Sequence, residues 1–295
     1  MHKSIFAVAL LLASPATRAE TNVCTNITSL PYVITSPGAY CLTQDLTLAA
    51  GPSPDWAIKI QAPDVVLDCN SFSLNGPAPV APPAPALNLG AIRLEGSART
   101  TVRNCRIIGF QDGIRIGISA VTLPRPIDAT IEDNRVAGAA FGITGTAEGL
   151  SRVRRNSVQN TLNAGLQLVA RDGVMEVAEN YVSGSGIASS VEGNGGTFAT
   201  AGTNPFMFVH DNVFSEIVSP AGAGPLAAVS IAAGARAKFE HNVVSSPSNP
   251  ADQGAATQGV NVDVSASVTC RQNVIVGYGG APNNPGCLGA DNRIY

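Results

Sequence analysis

Apolar and polar residues follow one another along most of this chain in short runs, and the runs recur. The stretch VRNCRIIGFQDGIRI, from Val102 to Ile116, returns as IEDNRVAG followed by Phe141-Gly142-Ile143 and as VRRNSV with Gly165-Leu166. It returns again as VAENYVSG with Gly186-Ile187, as VHDNVF with Val229, as FEHNVV, and as CRQNVIVG with Gly259-Val260 lying before it. One position of the pattern is held by Cys105, Asn134, Asn156, Asn180, Asn212, Asn242 and Asn273, at successive spacings of 29, 22, 24, 32, 30 and 31 residues. A repeat of this length, reading short strand, Asn, short strand, Gly, short strand, is the signature of a solenoid. Apolar residues stand three before the Asn (Val102, Ile131, Val153, Val177, Val209, Phe239) and two after it (Ile107, Val136, Val158, Val182, Phe214, Val244, Ile275). Both sets must point inward, so the residue between them turns the chain without facing bulk water. Asn tolerates the left-handed conformation of a sharp turn. Its side-chain amide can also bond the amide of the next coil. The pattern therefore predicts an all-β parallel β-helix with an internal Asn ladder and coils about 4.8 Å apart.

LDCN at Leu67 to Asn70, with VRNC and GFQDGI between Val102 and Ile114, is similar to the repeat of the right-handed parallel β-helices of the pectin-lyase-like superfamily. The resemblance spans roughly residues 56 to 277. It implies a single-stranded, right-handed coil whose sheet carries a site for acidic polysaccharide, and it is specific for fold rather than activity. The paired-aspartate NTD…DD and Gly-His-Asp patterns of polygalacturonases are missing. GIRIG at 113–117 matches their Arg-Ile-Lys only in its first two residues. The calcium-binding carboxylate cluster and Arg-x-Pro-x-x-Arg of pectate lyases are absent too, and LPRP at 123–126 does not supply the latter.

On this reading the chain divides into a signal peptide at 1–19, an N-terminal cap at 20–55, β-helix coils at 56–277 and a C-terminal cap or tail at 278–295. A polar start at His2 and Lys3, an apolar run from Ile5 to Ala13 and a small-x-small end at Thr17-Arg18-Ala19 carry the export reading. That run is too short to span a membrane. Secretion, or a periplasmic or cell-surface location, suits the six cysteines. An open solenoid end exposes unpaired backbone, so caps are required. Cys24–Cys41 is expected to hold the first, Cys69–Cys105 to join neighbouring coils, and Cys270–Cys287 to fasten the last. The Pro/Ala-rich stretch 76–90 and the Gly/Ser/Asn-rich stretches 189–205 and 245–258 read as loops.

Charge narrows the partners. Without the first 19 residues, which hold Lys3 and Arg18, 16 basic residues face 21 acidic ones, a net of −5. Two lysines remain and no basic run, which argues against nucleic acid. A monomer is expected. On the strand that carries each Gly-hydrophobic pair, the outward residue is Lys59, then Arg93, Arg115, Thr144, Gln167, Ala188, Ser230 and Asn261. Three cations in succession, followed by hydroxyl and amide groups, suit an extended anionic sugar chain whose carboxylates guanidinium groups would clamp. The resemblance implies that Lys59, Arg93 and Arg115 could serve elimination, with Thr144 and Gln167 contacting hydroxyls. The plain alternative is that these cations pair with Glu95, Asp112 or Asp55. A second constellation joins His210, Asp211, Glu240 and His241: HDN and EHN lie one coil apart, so His210 should stack on Glu240 and Asp211 on His241. It reads as acid–base or metal-binding chemistry, or as two surface pairs. No metal site or cofactor is assigned; Ca²⁺ stays open, without a recognised ligand cluster. Three functions stand side by side: an enzyme acting on acidic polysaccharide (lyase or glycoside hydrolase), a non-catalytic carbohydrate-binding or cell-surface protein, and a structural envelope component.

Overall fold

A computed structural model describes residues 23–49, 56–77, 89–117, 126–185, 194–217, 227–245, 258–278, 287 and 291–295. The export signal at 1–19, Asp55, the Gly186-Ile187 pair, Ala188, the middles of the loops expected at 76–90 and 245–258 and the first residues of the one at 189–205 lie outside the described residues. The rest of the 189–205 stretch is not all loop: Asn194–Ala201 is a strand, because it pairs in register with the coil before it.

Each turn of the chain contributes strands to three faces, and every pairing between turns is parallel. The front face begins with Tyr32–Ile34 on Trp56–Ile60 and continues through Gly90–Leu94, Asp112–Ile116, the starts of Phe141–Arg154 and Ala164–Ala178, Asn194–Ala201, Ala227–Ile231 and Gln258–Val262. A second face runs from Thr25–Ile27 and Gly38–Leu42 through Thr101–Arg103 to Ser267–Arg271. A third runs from Leu46–Thr47 and Ser73–Asn75 through Arg106–Ile108 to Val274–Val276 and Arg293–Ile294. The stretch expected as an N-terminal cap thus pairs strand for strand with the coil that follows, and the tail adds a strand to the third face.

The inward positions are those the repeat marks. Val102, Ile131, Val153, Val177, Val209 and Phe239 form one wholly buried column, and Ile107, Val158, Val182, Phe214 and Val244 another. They merge into one core running the length of the coil, so each residue buries its side chain against the turns above and below. The recurring glycine has a packing cause. A Cβ on Gly113 would sit 2.5 Å from Val136 Cγ1 and 2.5 Å from the Gly142 carbonyl oxygen, so no side chain fits where front and third faces meet.

The ladder forms, with its turn one residue earlier than predicted. Asn104, Asp133, Arg155, Glu179, Asp211, His241 and Gln272 carry φ values of 52 to 57°, and none of the described ladder asparagines has a positive φ. The preceding residue therefore turns the chain, which frees the Asn to point inward. Each amide nitrogen donates to the next Asn Oδ1: Asn134 to Asn156 at 3.0 Å, Asn156 to Asn180 at 3.0 Å, Asn180 to Asn212 at 2.9 Å, Asn212 to Asn242 at 2.9 Å and Asn242 to Asn273 at 3.1 Å. The same oxygens accept the backbone N–H of the preceding Asn, so a buried polar column is satisfied throughout. Asn292, from the tail, closes the far end by accepting from Asn273 Nδ2 at 3.0 Å and donating to the Cys270 and Cys287 carbonyls.

Disulfides join Cys24 to Cys41, Cys69 to Cys105 and Cys270 to Cys287. Cys105 occupies the first ladder position, its N–H donating to Asn134 Oδ1 at 3.0 Å, so the second bond seals the end of the amide column. Replacing Cys69 and Cys105 together by Ser should lower unfolding free energy by about 2–5 kcal/mol, because a long loop is released in the unfolded chain. Denaturant unfolding checks this; a loss below about 0.5 kcal/mol would contradict it.

Candidate functional site

The front face brings the predicted row together. Lys59 stands opposite Arg93, Arg93 opposite Arg115, Arg115 opposite Thr144 and Thr144 opposite Gln167. The register then places Thr197 beside Gln167 and Ser230 beside Thr197, so Thr197 holds the place expected for Ala188. The reason is that the strand continuing this face is Asn194–Ala201, further along the chain than Gly186-Ile187.

The cations are set among compensating groups. Arg93 Nε lies 3.0 Å from Glu95 Oε1, and Glu95 Oε2 accepts from Gln61 Nε2 at 2.7 Å. Arg115 Nη2 lies 3.5 Å from Asp112 Oδ2. Both guanidinium groups also stand over the Trp56 ring, 5.4 and 5.9 Å from its centre. Trp56 itself is buried, and its ring fills the space that a side chain on Gly90 would need, 2.0 Å from that position. Trp56, Gly90 and Asp112 occupy one register row at the bend that starts the face. Like charges on neighbouring strands repel; two carboxylates and an aromatic face hold the two arginines there.

Sequence reading treated Asp112 and Glu95 only as neutralising partners and passed over Trp56 and Thr197. The strict alternation it relied on breaks at Asp112-Gly113-Ile114, where two successive residues turn inward and Asp112 is swung to the arginine side. The available signals were the single tryptophan at the start of the first coil and the acid directly before GIRI.

Beside Arg115 the face hollows into a groove of about 270 Å³, lined among others by Thr144, Thr146, Gln167 and Thr197. Its floor includes Gly145, whose φ of +130° lets the backbone pass close to Ile116. Thr144 is 4% exposed and its Oγ1 has no hydrogen-bond partner among the described residues; Gln111 Oε1 and Asp112 Oδ1 are in the same condition nearby. Unpartnered buried polar atoms are scarce in folded proteins; of these three, Thr144 belongs to the groove lining, and Gln111 and Asp112 lie at the other end of the Arg115 strand.

Burial holds the Asp112 carboxyl above the usual carboxylate range, and the Arg115 and Arg93 charges oppose that only in part. A carboxyl whose pKa is raised on folding favours the folded state at low pH, and that contribution is lost as pH rises through its folded pKa. Asp112→Asn removes this dependence. The melting temperature of the variant relative to wild type should therefore climb between pH 3 and pH 7, and a flat or falling difference would contradict the assignment.

A family model described as "Right handed beta helix region" matches residues 57–187. The parallel coils of the structure agree with that match, so the fold is a right-handed parallel β-helix. No curated protein sequence matches the chain significantly. Among solved structures, the β-helix superimposes on the Dettilon tailspike protein with a TM-score of 0.41 and 12% identity, covering 92% of this chain and 60% of that one. For lidless DFA-IIIase from Arthrobacter chlorophenolicus the values are 0.47 and 15%, with 86% and 74% covered. For a double mutant of the tailspike protein of E. coli bacteriophage HK620 they are 0.47 and 11%, with 88% and 60% covered. Nothing about this chain's ligand follows from likenesses so distant.

The second predicted constellation is built differently in the β-helix. His210 stands opposite Glu240 in register, but its ring nitrogens meet Asp211 Oδ2 at 2.7 Å and Glu176 Oε1 at 3.3 Å, in its own coil and the one before. Its ring stacks on Phe208 at 4.0 Å. Asp211 and His241 are the chain-turning residues with positive φ. That backbone aims their side chains away from the strand row, and the expected Asp211–His241 pair is not among the contacts. Glu176 takes the place foreseen for Glu240: the preceding coil sets it opposite Phe208, two residues before His210, and its carboxylate reaches the ring diagonally. Among the described residues, no group of three His, Cys, Asp or Glu side chains is arranged to hold a metal ion.

Proposed function

We propose that the front face binds an acidic polysaccharide laid along the coil axis, with Arg115 pairing a sugar carboxylate and Thr144, Gln167 and Thr197 meeting hydroxyls. The observation that carries this is the groove beside Arg115, where a cation, hydroxyls and an amide stand on consecutive strands about 4.8 Å apart. Gln167, exposed on the same row, presents its amide to that groove. The three disulfides suit an exported protein meeting such a polymer outside the reducing cytosol.

Binding without turnover is the better supported form of this reading. An arginine stays charged at any working pH, and Arg93 and Arg115 are in addition held by Glu95 and Asp112. Of the three cations, Lys59 is the one able to act as a base, and it lies two strands from Arg115. Elimination would therefore need the substrate to reach Lys59 while Arg93 and Arg115 neutralise the uronate.

Calorimetric titration with oligouronates against neutral oligosaccharides of the same length tests the proposal. Arg115→Ala should weaken oligouronate binding by about 10- to 100-fold, the worth of a charged hydrogen bond, and leave neutral binding little changed. Equal affinity in the variant would overturn it. The ultraviolet absorbance of unsaturated uronate ends, read in the same samples, separates binding from lyase turnover.

A further inference from the structure

The third face, away from the front groove, carries two arginines that no carboxylate balances. Arg106 and Arg135 stand directly opposite each other on neighbouring parallel strands, with Ser73 and Ser157 on the flanking strands of the same row. Both are exposed, and neither guanidinium forms an ion pair or hydrogen bond with a described residue. Arginines on the neighbouring second face have acids to hand. Arg103 meets Asp68 at 2.8 Å, Arg99 meets Asp64 at 2.6 Å and Arg154 meets Glu132 at 2.8 Å. Like charges opposed across neighbouring strands are destabilising, so this juxtaposition costs stability unless something anionic joins it.

The two side chains line a polar cleft of about 390 Å³ that spans four coils, between the third face and the row of chain-turning residues. Asn104 and Ser71 close one side of it. On the other, Arg155 faces in, but it is committed: its guanidinium bonds Asp133 Oδ1 and Oδ2, each at 3.0 Å, and Glu132 Oε2 at 2.9 Å. Asp133, the one acid lining the cleft, is thereby neutralised by Arg155 and leaves Arg106 and Arg135 uncompensated.

We infer that Arg106 and Arg135 form an oxyanion site for a phosphate or sulfate group, separate from the front groove. Two guanidinium forks on adjacent strands, about 4.8 Å apart at the backbone, bring two positive charges together, and the single charge on the two coplanar oxygens of one carboxylate balances only one of them. A tetrahedral group with three or four oxygens engages both forks at once. Asn104 lines the edge of the same cleft, its amide held by Asp68 Oδ1 at 3.0 Å. The site does not depend on what the front face binds.

Calorimetric titration of the full chain with sodium phosphate and with sodium sulfate, ionic strength held constant with sodium chloride, tests this. One saturable site per chain is expected. Arg106→Gln and Arg135→Gln should each weaken it at least tenfold, and Arg236→Gln, on another face, should leave it unchanged; unaltered circular dichroism melts confirm folding. Glucose 6-phosphate bound at least tenfold more tightly than inorganic phosphate identifies a sugar-borne group as the ligand, and equal affinity identifies the free ion. Heats that do not saturate, or variants that bind as wild type does, overturn the site.

Discussion

Asn180→Ala is expected to lower unfolding free energy by about 4 kcal/mol, more than any surface substitution on this chain. Asn180 Oδ1 accepts from both the backbone N–H and the amide of Asn156, each at 3.0 Å, and its own amide donates to Val153 O at 2.8 Å and Asn212 Oδ1 at 2.9 Å. The side chain is 1% exposed. Truncation leaves two donors and two acceptors without this partner where water does not reach, and each stranded group costs about 1–3 kcal/mol. Gln167→Ala, on the exposed front row, should stay within about 0.5 kcal/mol. Chemical denaturation of the two variants decides the matter. If Asn180→Ala unfolds at the wild-type midpoint, the ladder does not hold the coil together.

Gly145→Ala is expected to cost about 3 kcal/mol and to abolish ligand binding in the front groove. Gly145 has a φ of +130°, a conformation essentially reserved for glycine. A Cβ there would lie 2.0 Å from the Ile116 carbonyl oxygen. Backbone cannot move aside as a flexible side chain can, so the strand must shift, and with it Thr144 and Thr146 on either side. Gly138→Ala provides the contrast: its φ of +62° is also left-handed, but nothing lies within 4 Å of the new methyl. That variant should lose only about 1 kcal/mol and bind as wild type does. The pair separates conformational strain from steric closure of the groove. Full binding by Gly145→Ala would show that the groove is not the site.

Much of the fold was legible in the linear pattern because a β-helix is quasi-one-dimensional: each turn contacts its neighbours, so the repeat of the sequence is the repeat of the contacts. The Asn ladder, the inward columns and the Cys69–Cys105 bond all follow from stacking one turn on the next. The left-handed residue was expected at Asn134 and its equivalents and lies one earlier, at Asp133 and its equivalents, because both positions tolerate a turn. The sequence shows only that a turn occurs between them. The front row was legible as far as Gln167 and then failed at Ala188, since insertions of unequal length separate strands that the register makes neighbours.

The period and chemistry of the repeat determined by themselves that this chain coils, what lies in its core and how its polar interior is satisfied, because those depend on neighbouring turns alone. Tertiary structure decided where the chemistry gathers. The bend that swings Asp112 towards Arg115, the Trp56 ring beneath two guanidinium groups, the Glu176 partner of His210 and the unbalanced Arg106–Arg135 pair each depend on register and side-chain direction between successive turns. No local pattern encodes those two quantities.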